Sequence, residues 1–422
     1  MALAGRAGAP QGVAGSTPTA AASGMAPGFA TAATAVSSMA TAGPAQAVAH
    51  EPALARLVDQ VRAARSRKGA LDIRGGGTKA FYGEPVDTAR PVEPLPLAEL
   101  RGISSYEPSE LVVTVRAGTP LAELEAALAE KHQCLAFEPP RFGGDAAGGG
   151  VPGGTVGGMV AAGLAGPARA AVGSVRDFVL GATMLNGRAE VLSFGGQVMK
   201  NVAGYDVSRL LPGSLGVLGV ILEVSLKVLP RPPATTTLRF DLDEDEALKR
   251  LNAWGGQPLP LNASAWWERT LVVRLSGAAA AVQSAAKKLG GEVIEPAMAE
   301  AFWRGLRDHR DEFFTSAEEA VQGHASLWRL SVPSTTPPLK LPGEQLVEWG
   351  GAQRWLCTGA PAPAVREAAA AVGGHATLFR ARDKSAGVFA PLAPPLLRVH
   401  RELKRAFDPD RVFNPGRLYP DL

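Results

Sequence analysis

The sequence predicts an α+β protein with two folded domains, of which the second is the smaller. The chain has 422 residues, and because domains of roughly 150 residues are common, this length favours two or three of them. The prolines of RPP at 231–233 interrupt the chain. Strand and helix patterns alternate beyond them, as in LVVRLSG followed by AAAAVQSAAKKLGG, which is typical of a second α+β domain. We predict a low-complexity extension at 1–49, the first domain at 50–233, the second at 234–392, and a C-terminal helix and tail at 393–422.

The composition is that of a packed soluble protein. Apolar residues make up 46% of the chain and charged residues 20%. The net charge of +3 comes without a dense basic run, which argues against nucleic acid as a partner. Cys134 and Cys357 are too few for a disulfide framework or for the thiolates, usually four, of an iron–sulfur cluster. We therefore predict two core thiols and no metal site in this chain.

The first 49 residues differ in composition from the rest. They hold a single charged residue, Arg6, and consist mostly of Ala, Gly, Ser, Thr and Pro. Prolines at 10, 18, 27 and 44 argue against a transmembrane helix, and no Leu-rich segment follows a basic start as in a secretory signal. The segment is predicted to be either a disordered extension or a start placed too far upstream.

The first domain is predicted to begin with a helix, because Leu54, Leu57 and Val61 recur at helical spacing and Gly69 can end that helix. A short strand, LDIR, follows. It leads into a glycine-rich loop, RGGGTK at 74–79, whose backbone is nearly bare of side chains.

Further strands and a helix are predicted downstream. The alternation in LVVTVR at 111–116 indicates a strand. Thr119 and Pro120 fit the N-cap and first position of a helix that reaches Lys131. The long apolar run VLGVILEVSLKVL at 217–229 is the best candidate for a central strand.

A second glycine-rich stretch, GVPGGTVGGMVAAGLAG, occupies 150–166. A flexible linker would explain it, but Thr155 fits a helix N-cap and the residues after it are apolar. Open backbone amides at such a helix start would form an anion site. Next, VLGATMLNGRAEVLSF predicts a hairpin, with Asn186 and Gly187 suited to a tight turn of positive φ.

Neither glycine stretch fits a Rossmann fingerprint in its context. Gly148, Gly150 and Gly153 match G-x-G-x-x-G, but Pro152 lies within the motif and no strand directly precedes it. Gly75, Gly77 and Ala80 match the variant G-x-G-x-x-A and follow a strand. Two prolines soon after them are incompatible with the helix on which the diphosphate lies in a Rossmann fold. Two separate glycine loops converging on one diphosphate remain as the prediction.

These motifs resemble a known family in their order and spacing. RGGGTK, TVGGMVAAGLAG, GSVRDFVLGATML, KNVAGYDVSRLLPGSLGVLGVILEV and FNPGRL are similar to the FAD-binding domain of the vanillyl-alcohol oxidase and p-cresol methylhydroxylase type. Within that family, FGGQVMKNVAGYD and GGHATLFRA look most like the FAD-binding E subunit of bacterial glycolate oxidase. The resemblance implies a two-subdomain FAD-binding domain of the p-cresol methylhydroxylase type, followed by a smaller α+β cap domain.

The resemblance also implies which residues hold FAD. The first loop would bind the diphosphate, the second would close over it, and later segments would contact the adenine half and the ring. No histidine lies in or beside either loop, so FAD is expected to be bound non-covalently. The implied cofactor-binding residues are Arg74, Gly75, Gly76, Gly77, Thr78, Thr155, Gly157, Gly158, Ser174, Val175, Gly219, Val220 and Asn414.

Oxidation of a 2-hydroxy acid also needs a cation for the carboxylate and a base for the hydroxyl proton. Hydroxy-acid dehydrogenase relatives carry a His-x-Gly-Asp-Gly-Asn-x-His run in the cap domain, and of this run only His375 remains here, in GGHATLFRA. Lys200 and Arg209 are candidate carboxylate partners, with Tyr205 close by. The alternatives are structural: Tyr205 packs, and His375 is an ordinary strand residue.

The resemblance thus implies an FAD-dependent subunit of a glycolate oxidase (glycolate dehydrogenase) complex. Its implied partners are a D-type FAD subunit and an iron–sulfur subunit that receives the electrons. A small 2-hydroxy acid would be the substrate, and a cytoplasmic location is expected, with contact to the inner membrane through partners left open. Two alternatives stay open as well: a non-catalytic scaffold or electron relay, and a stand-alone D-lactate-type dehydrogenase.

Overall fold

A computed structural model describes residues 51–143, 153–196 and 206–422. The predictions for residues 1–49, Lys200 and Tyr205 lie outside these ranges. The helices are α1 (Pro52–Ser66), α2 (Leu121–Glu130), α3 (Val156–Ala162), α4 (Arg169–Val172), α5 (Val175–Phe178), α6 (Glu244–Gly255), α7 (Ala279–Leu289), α8 (Pro296–Asp308), α9 (Glu312–Gln322), α10 (Ala362–Ala371) and α11 (Pro394–Phe407).

Strands of the first part of the chain form three sheets, and those of the second part form one. The strands are β1 (Ala70–Arg74), β2 (Val92–Pro96), β3 (Ile103–Glu107), β4 (Val112–Arg116), β5 (Gln133–Cys134), β6 (Val179–Leu185), β7 (Val191–Gly195), β8 (Val220–Lys227), β9 (Leu229–Pro230), β10 (Ala234–Asp241), β11 (Leu261–Trp267), β12 (Thr270–Gly277), β13 (Glu292–Val293), β14 (Ser326–Ser331), β15 (Glu344–Glu348), β16 (Gln353–Thr358) and β17 (His375–Arg380).

The first strand carries the first glycine loop at its end. Strand β1 pairs in parallel with β2 and lies beside the C-terminal tail, where Leu71 bridges to Phe413. Helix α1 covers this unit and buries Leu54, Leu57 and Val61 in the same apolar cluster as Leu71 and Phe413. The predicted helix and the strand LDIR are therefore confirmed, and the loop leaves a strand that is held on two sides.

A five-stranded antiparallel sheet of order β3-β4-β8-β6-β7 forms the other half of the first part. The predicted central strand is confirmed, because β8 occupies the middle of this order. Six of its eight residues are buried, as expected for a strand covered on both faces. Helix α3 packs on β4 and β8, which brings the second glycine loop to this sheet.

The predicted cap at Thr119 is wrong. Helix α2 begins at Leu121 with Pro120 as its N-cap residue. The Thr119 hydroxyl instead accepts a hydrogen bond from Gly102 N at 2.9 Å and donates to Gly102 O at 3.2 Å. A long-range contact to the neighbouring loop thus replaces the local capping bond.

The predicted hairpin forms, but its tight turn does not. Strands β6 and β7 are joined by residues 186–190, and the positive φ falls on Ala189. Asn186 Oδ1 accepts from the amides of Arg188 and Glu190, at 2.9 and 3.0 Å. Glycine is required at 187 for another reason, since a β-carbon there would lie 2.2 Å from Asp408 Oδ1.

The second part of the chain is an eight-stranded antiparallel sheet of order β13-β10-β12-β11-β15-β16-β14-β17, with helices α6 to α10. A single apolar cluster joins this sheet to the first part. It includes Tyr82 and Phe142 from the first part together with Trp355 and Phe379 from the sheet. Tyr82 follows the first glycine loop by three residues, so this cluster places the eight-stranded sheet close to that loop.

Candidate functional site

The first glycine loop presents open backbone amides. The N–H groups of residues 75–79 donate no hydrogen bond to any residue that the structure describes. Gly77 has a φ of 72°, a left-handed conformation that glycine adopts without steric cost. Successive amides around such a residue form a concave anion site. The loop therefore fits a phosphate group, as its sequence predicts.

The second loop is built differently from the sequence-based prediction. Thr155 is the N-cap of α3, as predicted, and its hydroxyl accepts from Gly158 N at 3.3 Å. The amides of Val156 and Gly157 donate to Thr119 O and Ala117 O, at 2.9 and 2.8 Å. These two amides already donate to backbone carbonyls of the protein. The prediction of an open anion site at this helix start is therefore wrong.

Glycine at 157 serves close packing. A β-carbon there would lie 2.7 Å from Ala117 Cβ and 3.0 Å from Ala117 O. The two glycine loops also meet each other. A β-carbon on Gly75 would lie 2.4 Å from Thr155 Oγ1, and one on Gly154 would lie 2.8 Å from Thr78 Oγ1. Bare backbone lets the second loop lie against both the sheet and the first loop.

Between the loops lies a cavity of about 550 Å³, within the size range of cofactor sites. Ten of the thirteen predicted FAD-binding residues line it, and their contact with FAD stays a prediction. Ser174, Val175 and Val220 do not line it. Ser174 caps helix α5 through Asp177, while Val175 and Val220 are fully buried. The ten are Arg74, Gly75, Gly76, Gly77, Thr78, Thr155, Gly157, Gly158, Gly219 and Asn414.

Asn414 positions the walls of the cavity. Its Oδ1 accepts from Ile73 N at 2.8 Å, and its Nδ2 donates to Leu215 O at 2.7 Å. Arg417, which the sequence analysis missed, also lines the cavity and donates to Glu84 O at 2.7 Å and Tyr82 O at 2.6 Å. The C-terminal tail thus holds together segments that lie far apart in the sequence.

Of the predicted catalytic residues, the two that the structure describes, Arg209 and His375, do not line this cavity. Arg209 forms a salt bridge to Asp206 at 2.8 Å, so its charge already has a partner. His375 begins β17 and does not line the cavity. Burial of its imidazole, together with the field of Arg329, lowers its pKa below the ordinary value. Lys200 and Tyr205 lie outside the described residues.

Arg329 is a cation that sequence reasoning missed. It projects from β14, and its Nη2 donates to the hydroxyl of Tyr82, a cavity residue, at 3.1 Å. It forms no salt bridge within the residues that the structure describes. The alternation of SLWRLS could have placed it opposite the buried face of its strand, but the contact with Tyr82 joins residues 247 positions apart.

Lys79 is a second missed cation. It lines the cavity, and burial lowers the pKa of its ammonium to about 8. The signal in the sequence was its place in RGGGTK, directly after the glycines.

The glycine loop at the end of β1, the second loop and the cavity between them fit an FAD-binding flavoprotein. In agreement, the family described as FAD binding domain matches residues 46–195. Over 366 residues the chain is 47% identical to the glycolate oxidase subunit GlcE of Escherichia coli (strain K12), and the match covers 87% of this chain and 97% of that protein. The chain belongs to this family of glycolate oxidase subunits.

More distant relatives match shorter segments. D-lactate dehydrogenase of Anaerostipes hadrus is 34% identical over 142 residues, which are 34% of this chain and 28% of that protein. Among solved structures, alkyldihydroxyacetonephosphate synthase aligns with a TM-score of 0.56 at 16% identity, over 85% of this chain and 75% of that one. That likeness shows the fold, and it confirms the predicted α+β class. In the described part of the chain, no helix is long and apolar enough to cross a membrane.

Proposed function

We propose that this chain is the FAD-binding subunit of a glycolate oxidase complex, in which a small 2-hydroxy acid is oxidised to the 2-oxo acid. The observation that carries the proposal is the 47% identity to a glycolate oxidase subunit along 97% of that protein's length. The cavity supports the proposal, because the residues present fit FAD. The open amides at 75–79 suit a diphosphate, and the cavity is lined by both loops and by the C-terminal tail.

FAD bound here would supply a two-electron acceptor for the hydride of the substrate. The protein's part is to bind and orient. The amides of the first loop would hold the diphosphate, and Thr155 and Gly154 line the cavity from the second loop. Asn414 and Arg417 keep the distant walls at fixed positions through their bonds to Leu215 and to the backbone of 80–84.

Arg329 is proposed as the partner of the substrate carboxylate. Its guanidinium has no carboxylate within salt-bridge distance in the described chain, and it reaches a residue that lines the cavity. A planar guanidinium binds a carboxylate through two parallel hydrogen bonds. The base for the hydroxyl proton stays a prediction: His375 is the candidate from the sequence, although it does not line the cavity.

The partners and location are proposed on the same basis. Two similar proteins are named as different subunits, E and D, of glycolate oxidase, which supports a multi-subunit complex. We propose a D-type FAD subunit and an iron–sulfur subunit as partners of this chain, non-covalent FAD, and a cytoplasmic complex. The two cysteines of this chain are fewer than a cluster usually requires, so a cluster in the proposed complex would be held by another subunit.

The proposal is tested by anaerobic reduction of the flavin. The isolated chain is mixed with glycolate or D-lactate while the flavin absorbance is followed, and the measurement is repeated after the partner subunits are added. We expect slow or no bleaching alone and rapid bleaching in the complex. Steady reduction of a dye acceptor by the lone chain would make it a self-sufficient dehydrogenase. Flavin that stays oxidised in the complex, while the partner's flavin turns over, would make it a scaffold.

Replacing Arg329 by methionine is expected to lower kcat/KM for glycolate in the assembled complex. A hydrogen bond to a charged group contributes about 1.5–3 kcal/mol, which corresponds to a loss of roughly ten- to hundredfold. Flavin content should be unchanged. Arg382→Met, at an exposed arginine of the same domain, is the matched control and should retain full activity. Equal kcat/KM for both variants would show that Arg329 does not bind the substrate carboxylate.

A further inference from the structure

Lys79 carries an ammonium group without a partner in the described chain. It follows Thr78 at the end of the first glycine loop and lines the cavity between the loops. No hydrogen bond or salt bridge joins its Nζ to another described residue. The nearest features are the ring of Phe142, 5.5 Å away at its centroid, and Gly154, where a β-carbon would lie 3.3 Å from Nζ. The group therefore stands in the gap where the two loops meet.

The surrounding carboxylates do not neutralise this charge. Asp308 is the acid whose field reaches Lys79, but Asp308 already accepts two hydrogen bonds from Arg307, at 2.8 and 2.7 Å, and one from Arg141 N at 2.9 Å. Arg380 adds a positive charge nearby, with its Cζ 5.7 Å from the centroid of the Phe142 ring. Lys79 is half-buried by its exposed area, and a partly desolvated cation without a counter-ion is costly unless a ligand supplies the negative charge.

The adjoining loop shows which ligand would do so. The open amides of residues 75–79 form an anion site next to this ammonium, and the cavity is that of FAD in the proposed function, on which this inference rests. Of the parts of FAD, only the diphosphate carries negative charge in the oxidised form. We propose that Lys79 Nζ binds the diphosphate of FAD and is its counter-charge. Backbone amides alone would hold the phosphates by their dipoles. Lys79 adds a full positive charge, whose attraction to the phosphates weakens as ionic strength rises.

The test compares ligands with and without the diphosphate. Apo-protein is titrated with FAD, ADP and riboflavin, and affinity is read from flavin fluorescence or calorimetry. Lys79→Met should weaken FAD and ADP by a similar factor, roughly ten- to hundredfold, and leave riboflavin unchanged. Lys79→Arg should restore most of the affinity. Lys287→Met, at an exposed lysine of α7, is the matched control.

Each other outcome has a definite meaning. Equal weakening of FAD and riboflavin would place Lys79 at the ring and overturn the proposal. Unchanged FAD affinity in Lys79→Met would overturn it while leaving the proposed function intact. Failure of the wild-type protein to bind FAD would overturn both. Melting temperatures of the variants show whether any loss of affinity comes from unfolding.

Wild-type protein provides a check that needs no substitution. Burial lowers the pKa of Lys79 to about 8 in the free protein, and a bound diphosphate would raise it. Binding then requires the protonated form, so FAD affinity should fall as pH rises through about 8, by up to tenfold per pH unit. The other charged groups near Lys79 are Asp308, Arg307, Arg141 and Arg380. The affinity for riboflavin should not change over this pH range. An affinity for FAD that is also independent of pH would contradict the proposal.

Discussion

Replacing Gly157 by valine is expected to yield protein without flavin. The new β-carbon would lie 2.7 Å from Ala117 Cβ and 3.0 Å from Ala117 O, and neither atom can move without shifting the strand end. Overpacking by even one methylene costs about 1–3 kcal/mol, and valine adds more. The second loop must then move away from the sheet, which opens the cavity. The ratio of flavin to protein absorbance after purification measures the result.

Gly255→Val is the matched control. Gly255 is exposed at the C-terminal end of α6, and a β-carbon there would meet nothing within 4 Å. This variant should retain its full flavin content and nearly the wild-type melting temperature. Flavin retained in Gly157→Val would show that the second loop does not close the cofactor cavity.

A double substitution can separate the loop contact from general damage. In Gly75→Ala the added carbon lies 2.4 Å from Thr155 Oγ1 but 3.5 Å from Thr155 Cβ. Gly75→Ala should therefore lose flavin, and adding Thr155→Ala should restore part of it, because the clashing hydroxyl is gone. The loss of the α3 cap, about 0.5–2 kcal/mol, limits the recovery. Strictly additive effects of the two changes would contradict this contact.

Replacing Lys404 by methionine is expected to destabilise the whole protein. The side chain of Lys404 is buried in α11 although it carries a charge. Its Nζ donates to Val217 O, Asp408 Oδ2 and Phe413 O, at 2.7, 2.9 and 2.9 Å. Asp408 is fully buried, so removing the lysine leaves an uncompensated charge, which typically costs about 3–5 kcal/mol. Urea unfolding measures the loss.

The same substitution should also weaken FAD binding. Phe413, which accepts from Lys404, is followed by Asn414, and Asn414 bonds to Ile73 and Leu215 in the cavity wall. Arg405→Met is the control, since Arg405 is exposed and pairs only with Glu402 among the described residues. A surface pair of this kind contributes about 0–1 kcal/mol. A similar loss in both variants would show that the buried pair adds nothing specific.

Local patterns explain why much of this protein is predictable from its sequence. Alternating apolar residues indicate strands such as β4, and the long apolar run at 217–229 indicates the central strand β8. Glycines after LDIR indicate a loop with open amides, since a bare backbone is a property of the residues themselves. The order of these motifs was sufficient to predict the fold class and FAD, and the family comparison confirms both.

Long-range contacts account for the features that the sequence did not reveal. Whether the amides at a helix start are free to bind an anion depends on which groups of the protein lie next to them. At Gly157 the amide is not free, because it donates to Ala117 O. The same holds for Arg209, which Asp206 neutralises, and for Thr119, whose hydroxyl bonds to Gly102 in place of its own helix.

By itself, then, the sequence determined most of the elements, the two glycine loops and the α+β class, because these depend on residues close together in the chain, and its resemblance to a known family implied the cofactor. Only the tertiary structure decided which cations are free. Lys404 is buried against Asp408, while Arg329 reaches Tyr82 across 247 positions and Lys79 remains without a partner in the described chain. The physical reason is that a charge acts according to what surrounds it, and those surroundings are assembled from segments that only folding brings together.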